Sequence, residues 1–236
     1  RRFIHLARNQ DWDLVVLPMS VFNMIGDSEG SVTALIQEME QELEDVLRNI
    51  TDKRERKRTQ KKAQAKIDKL RDALLKQAKR DTDRGLPLWE DMGVDWLMAD
   101  EVHKFKKLGF STQLNIRGVD TSRSQTAFSL FVKSKAVKAA QDGEQRGLIF
   151  ATGTPVSNTV AELWTWGRFL DRKGLEEFGV KAFDHWVGTF ARVEPRNEYT
   201  ATLEWKTYDK LAKYENPNEF LTWFSNFADR VGPDQI

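Results

Sequence analysis

Asp100 and Glu101 stand side by side directly after a short apolar run, Gly93–Ala99, and His103 follows two residues on. Further along, Thr152-Gly153-Thr154-Pro155 directly follows a second apolar run, Gly147–Ala151. A carboxylate at a strand tip can hold the magnesium of a nucleotide, usually through water, as the second-strand aspartate of phosphate-loop ATPases does. An adjacent carboxylate that points elsewhere can polarise an attacking water. Asp100 and Glu101 fit those two roles in that order, and His103 is placed to relay the state of the pair to the Thr152–Pro155 loop through hydrogen bonds. Each motif also has a bland reading. D-E-x-H alone is a solvated loop after a strand. T-G-T-P alone is a tight turn before a helix capped by Ser157 or Asn158. The two motifs at the ends of two successive apolar runs say more than either alone, because ligands of parallel α/β sheets gather beyond the carboxyl ends of the strands.

The elements that must position these loops follow from the hydrophobic pattern. Gly93–Ala99 and Gly147–Ala151 read as short strands, and Asp13–Pro18 reads as a buried strand that leads into a helix start at Met19–Phe22. Thr121–Gln141 reads as a helix with Ala127, Leu130, Phe131, Ser134 and Val137 on one side, and a further helix starts at Asn158. Strands alternating with helices imply a parallel α/β sheet. Residues 31–80 differ. Val32, Leu35, Ile36, Met39, Leu43, Val46, Leu47 and Ile50 recur at three- and four-residue steps, and Ile67, Leu70, Leu74 and Ala78 repeat the pattern. With no Pro or Gly in between, this segment reads as two long amphipathic helices forming a coiled-coil-like arm, the first capped by Ser31. The basic run KRERKRTQKK from Lys53 to Lys62 falls between the two patterns, as a solvated tip or as a phosphate-gripping patch. Beyond residue 172 the chain is aromatic-rich, with helices expected near 181–191 and 217–229. The domain reading is therefore 1–30 and 81–172 for the α/β lobe, 31–80 for the inserted hairpin, and 173–236 for a helical extension. Of the eight tryptophans, Trp164 and Trp166 lie at helical spacing and are expected in the core rather than stacked on bases.

Composition narrows the chemistry. The chain has 236 residues, 31% of them charged, with a net charge of +1. There is no cysteine, which excludes disulfides and thiolate metal sites, and only three histidines, His5, His103 and His185, are present. No stretch approaches the ~20 apolar residues of a membrane span. The start, Arg1-Arg2-Phe3, reads as a cut from a longer polypeptide.

DEVHKFKKLG resembles the DEAH-containing motif II of superfamily 2 helicases. FATGTPVSNTVAELWTWGRFL resembles motif III of their Swi/Snf branch, and DWDLVVLPMSVF is similar to the strand and turn between motifs I and II. FSTQLNIRGVDTSRSQTAFSLFVKSKAV, FDHWVGTFARV and EFLTWFSNFADRV are similar to passages of large phage and conjugative-element proteins in which such a helicase is fused to an adenine-specific DNA methylase. The resemblance covers nearly the whole chain. It implies a partial RecA-like first lobe with a helical-hairpin insertion, with ATP and Mg2+ as cofactors. It also implies Asp100 for Mg-ATP, Glu101 as catalytic base, and His103 with Thr152, Gly153 and Thr154 for coupling. Ser20, Lys104 and Asn158 are implied near nucleic acid. Duplex DNA, a second helicase lobe and a methylase domain of the same polypeptide are the implied partners, with no membrane, in the cytoplasm of a bacterial or phage-infected cell. Val102 replaces the usual alanine of motif II, a small apolar change expected to be tolerated. No G-x-x-x-x-G-K-[ST] phosphate loop occurs in these residues, so the isolated chain is expected to be inactive. A non-catalytic protein- or DNA-interaction module derived from a helicase lobe is the competing reading. A nuclease or methylase domain is disfavoured, since neither signature occurs.

Overall fold

The computed structural model describes residues 6, 8, 9, 12–141, 146–157, 159–199 and 204–232. The chain divides into two compact units, Arg1–Ser111 with Thr121–Pro155, and Thr112–Asp120 with Val156–Ile236. This division falls at Pro155/Val156, directly after the T-G-T-P turn.

The first unit is α/β. It contains α1 (Met19–Phe22), α2 (Glu29–Arg48), α3 (Lys53–Asp83), a 3-10 turn at Trp89–Met92, β1 (Leu97–Ala99), a second 3-10 turn at Val102–Phe105, α4 (Gln125–Ala140) and β2 (Leu148–Phe150). Helices α2 and α3 form the expected hairpin. Val32, Leu35, Ile36, Met39, Leu43, Val46 and Leu47 are buried along one face of α2. Its cap is Ser28 rather than Ser31: the Ser28 hydroxyl accepts the Ser31 N–H at 3.1 Å. The basic run is not a link between the helices. Asp52 caps α3 by accepting the Glu55 N–H at 2.7 Å, so Lys53–Lys62 forms the first turns of a 31-residue helix. Arg, Lys, Gln and Glu are good helix formers, and a cap placed before them extends the helix through the run. Glu40 of α2 ties the two helices together, pairing with Arg71 and accepting from Gln64 Nε2 at 3.3 Å.

The root of the hairpin is held by α4. Lys133, fully buried, donates to Asp27 and to the Ser129 hydroxyl, both at 2.7 Å, and lies over the Phe22 ring. Burial pulls the Lys133 ammonium below its ordinary pKa, against the attraction of Asp27. The indole N–H of Trp89 donates to the Lys133 carbonyl at 3.1 Å. Beside it, Glu90 accepts hydrogen bonds from the Ser28 hydroxyl at 2.8 Å, the Ser28 N–H at 3.3 Å and the Ser31 hydroxyl. Thus the first turn of α2 is clasped to the turn that leads into β1.

Strands β1 and β2 pair in parallel, with Leu97 opposite Leu148, Met98 opposite Ile149 and Ala99 opposite Phe150. Parallel neighbours need a crossover, and α4 lies between the two strands in sequence. The helix is buried at Ala127, Phe128, Leu130, Phe131, Val132 and Val137. Asp13–Pro18, expected as a buried strand, forms none: Leu14 is 72% and Val16 82% exposed. A strand of a parallel sheet is stabilised by ladder bonds and by cover on both faces. Among the described residues this run pairs with neither strand.

The second unit contains α5 (Glu162–Leu170), α6 (Arg172–Glu177), α7 (Phe183–Phe190), β3 (Ala191–Tyr199), β4 (Trp205–Tyr214) and α8 (Pro217–Ser225). Trp164, Trp186 and Trp223 are fully buried with Phe169, Phe183 and Phe190, so the tryptophans at helical spacing are core. Gly167 is required by packing, because a Cβ there would meet the Trp223 ring at 2.5 Å. The extension expected to be helical has its helices at α7 and α8 but also contains an antiparallel ribbon, β3 paired with β4 from Ala191/Tyr214 to Tyr199/Trp205. Over Ala191–Arg196 apolar and charged residues alternate with period two, and the Thr200–Leu203 segment between the strands lies outside the described residues. Thr112 and the Gln113 N–H bond to the Asp184 carboxylate, and Arg117 stacks over Tyr208 at 4.1 Å. These contacts bind 112–120 into this unit.

Candidate functional site

The parallel register places the carboxyl ends of β1 and β2 side by side. The ladder continues past both strands: Ala151 N–H donates to the Ala99 carbonyl at 2.9 Å, and Val102 N–H donates to the Ala151 carbonyl at 3.1 Å. The two motif loops are therefore neighbours within the first unit. At Glu101 the chain turns through the left-handed region, φ 50° and ψ 42°. For a residue with a Cβ this costs on the order of 1–2 kcal/mol, and such strain concentrates where a side chain must be aimed. Its effect is visible on both sides. Val102 is driven into the core, 2% exposed, while the carboxylates of Asp100 and Glu101 remain at the surface. The valine in place of alanine thus fills interior space.

One oxygen of Asp100 accepts the Glu101 N–H at 2.8 Å. Glu101 Oε2 lies 3.2 Å from His103 Nδ1, and the same Nδ1 lies 3.0 Å from the Thr152 hydroxyl. That hydroxyl also accepts the Thr154 N–H at 3.1 Å. A continuous polar chain therefore runs from Glu101 through His103 and Thr152 to the backbone of Thr154, joining the end of β1 to the end of β2. The whole chain is satisfied with Nδ1 protonated, its N–H shared between the Glu101 carboxylate and the Thr152 hydroxyl; with Nδ1 bare, Thr152 donates to His103 and the Glu101 link carries no hydrogen bond.

The remaining sequence-predicted residues are placed as follows. Gly153 lies in an exposed bend where a Cβ would meet nothing within 4 Å, so neither backbone nor packing demands a glycine there. Lys104 is exposed on the turn after Glu101, its N–H bonded to the Glu101 carbonyl at 3.1 Å. Ser20 is exposed on α1, whose Phe22 packs edge-on against Trp89 at 5.5 Å. Asn158 lies outside the described residues. Glu90, Asp27 and Lys133 were not singled out from the sequence. The signal for Lys133 was available, a cation in the middle of a helix directly after the apolar run Leu130-Phe131-Val132.

The donor set suits a magnesium ion held mostly by water and phosphate oxygens. Mg2+ keeps several waters and takes one or two carboxylates, and Asp100 is exposed with one oxygen committed to a backbone N–H. Among the described residues, no group of three His, Cys, Asp or Glu comes together to hold a metal by side chains alone.

Adjacent parallel strand ends of an α/β unit thus carry a carboxylate pair and a histidine–threonine bridge. The chain belongs to the probable helicase domain family, whose model matches residues 1–231. No curated protein and no solved structure matches it.

Proposed function

We propose that the chain is part of the first motor lobe of a nucleic-acid-dependent ATPase of the Swi/Snf type, which in its complete polypeptide couples ATP hydrolysis to movement along duplex DNA. The observation that carries this reading is the contact of Glu101 and Thr152 with one nitrogen of His103, across neighbouring strand ends of a helicase-family chain. The Swi/Snf branch rests on the resemblance of FATGTPVSNTVAELWTWGRFL to its motif III.

In this reading Asp100 holds a hydrated magnesium ion, and Glu101 orients a water and accepts its proton. Bound Mg-ATP supplies the transferable phosphoryl group and the cation that offsets its developing charge. The left-handed backbone at Glu101 separates the two carboxylates, so one serves the cation and the other faces His103. His103 links the state of Glu101 to the Thr152–Thr154 loop, which responds to the nucleic-acid strand. Ser20, Lys104 and Asn158 lie along that strand. A second helicase lobe and an adenine-specific methylase domain complete the polypeptide, in the cytoplasm of a bacterial or phage-infected cell. No helix among the described residues is long and apolar enough to cross a membrane.

The sequence holds no G-x-x-x-x-G-K-[ST] loop, so the backbone amides and lysine that grip a triphosphate must come from elsewhere. Steady-state hydrolysis by the 236-residue chain is expected to stay at background, while the full-length parent turns over ATP faster with duplex DNA. Robust turnover by the chain alone contradicts the reading.

A further inference from the structure

Helix α3 carries thirteen Lys and Arg against five Asp and Glu, and the excess is crowded into its N-terminal turns. From Lys53 to Lys62 there are seven cations and a single carboxylate, Glu55. For the helix itself this is the unfavourable end. The N-terminal turns carry the positive pole of the macrodipole, which favours Asp and Glu and disfavours Lys and Arg. Like charges four apart repel, as at Lys53/Lys57, Arg54/Arg58, Lys57/Lys61 and Arg58/Lys62.

Burial offers no compensation. Every residue from Lys53 to Arg58 is exposed, and the first buried side chain of α3 is Ile67. Nearby carboxylates do not neutralise the run either. Glu40 is engaged by Arg71, Glu38 by Lys135 and Asp45 by Arg48. Among the described residues, no carboxylate lies within ion-pair distance of Arg54, Arg58, Lys61, Lys62 or Lys69. At 100° per residue these five fall on one side of the helix, over roughly 22 Å of its length.

We propose that this face of α3 binds the phosphate backbone of a nucleic acid, as a contact surface additional to the strand-end loops. A polyanion relieves the repulsion that the helix otherwise carries, and neutralised phosphates release their condensed counterions. An acidic protein surface fits less well. Between the cations this face offers Ala65 and no large apolar side chain to anchor a protein interface. Contacts to phosphate alone carry no base preference. The proposal does not depend on ATP hydrolysis.

The test is a titration of a short fluorescent duplex with the 236-residue chain from 50 to 200 mM salt, beside a variant carrying Arg54→Gln, Arg58→Gln, Lys61→Gln, Lys62→Gln and Lys69→Gln. The variant is expected to bind at least about tenfold more weakly at low salt, with a salt slope shallower by about 4.5, near 0.9 per lost contact. Its thermal unfolding is expected at the same or a higher temperature, because the repulsion is gone. Should the fivefold variant fold poorly, Arg54→Gln with Arg58→Gln decides, with a slope change of about 2. Lys173→Gln, which removes an exposed cation of α6 outside both surfaces, is expected in the same titration to bind like the unaltered chain. Unchanged affinity and slope in the neutralised variants overturns the proposal, and so does a labelled polyglutamate that binds as tightly as the duplex.

Discussion

His103 Nδ1 lies 3.0 Å from the hydroxyl oxygen of Thr152, a bond across 49 residues of sequence that joins the ends of two parallel strands. The same nitrogen is 3.2 Å from Glu101, so any movement of the Thr152 loop alters the surroundings of the carboxylate. Thr152→Val keeps the volume of the side chain and removes the hydroxyl. A single partly exposed hydrogen bond contributes about 1 kcal/mol, so the fold is expected to survive. In the full-length parent the expected outcome is a loss of DNA stimulation with basal hydrolysis retained, read as ATP turnover with and without duplex.

The strained backbone at Glu101 gives a prediction in which stability and activity move in opposite directions. Glycine adopts φ 50° without steric cost. Glu101→Gly is therefore expected to stabilise the chain by about 1 kcal/mol while abolishing hydrolysis in the parent. Chemical denaturation of the variant beside the unaltered chain checks the sign. A destabilised variant contradicts the view that the turn is strained for the sake of the carboxylate.

Much of the site could be read from the residue order, because it is local in sequence. Asp100, Glu101 and the Thr152–Pro155 turn each follow their strand directly, and the parallel pairing that brings them together follows from two apolar runs with a helix between. What could not be read depends on partners far along the chain. Asp13–Pro18 has the composition of a strand, but pairing, not composition, decides whether a strand forms, and its exposed Leu14 and Val16 show that the pairing is missing among the described residues. The β3–β4 ribbon was missed because its alternation holds over Ala191–Arg196 but lapses in Trp205–Tyr214, where Asp209-Lys210 and Leu211-Ala212 are like neighbours. Glu198 of the ribbon pairs with Lys210 and with Arg117. Helix propensity explains the opposite error at Lys53–Lys62, where a charge run suggested a loop and a capping Asp52 made it helix.

The clasp at the root of the hairpin is acid-sensitive. Burial works to raise the Glu90 carboxyl, but hydrogen bonds from Ser31, from its own backbone N–H and from Ser28 outweigh it and hold the group below the ordinary glutamate range. A carboxyl depressed in the folded state stabilises it fully above the unfolded value near 4.5, and that stabilisation is lost as pH falls through the lower, folded value. Glu90→Gln is therefore expected to lower the melting temperature at pH 7, with the difference from the unaltered chain shrinking toward zero as pH falls below 4.5 and through the lower, folded value. Melting curves taken across that interval check it, and a difference that stays constant with pH would count against the clasp.

The most direct measurement is DNA-stimulated ATP hydrolysis by the full-length parent, unaltered and carrying Glu101→Gln. Exchange of one oxygen for an amide keeps the shape of the side chain and removes its ability to take a proton from water. The expected result is a fall in turnover of at least about 100-fold, within the range contributed by a positioned general base, with duplex binding retained. Similar DNA-stimulated rates in the two proteins would contradict the assignment of Glu101 and the motor reading built on it.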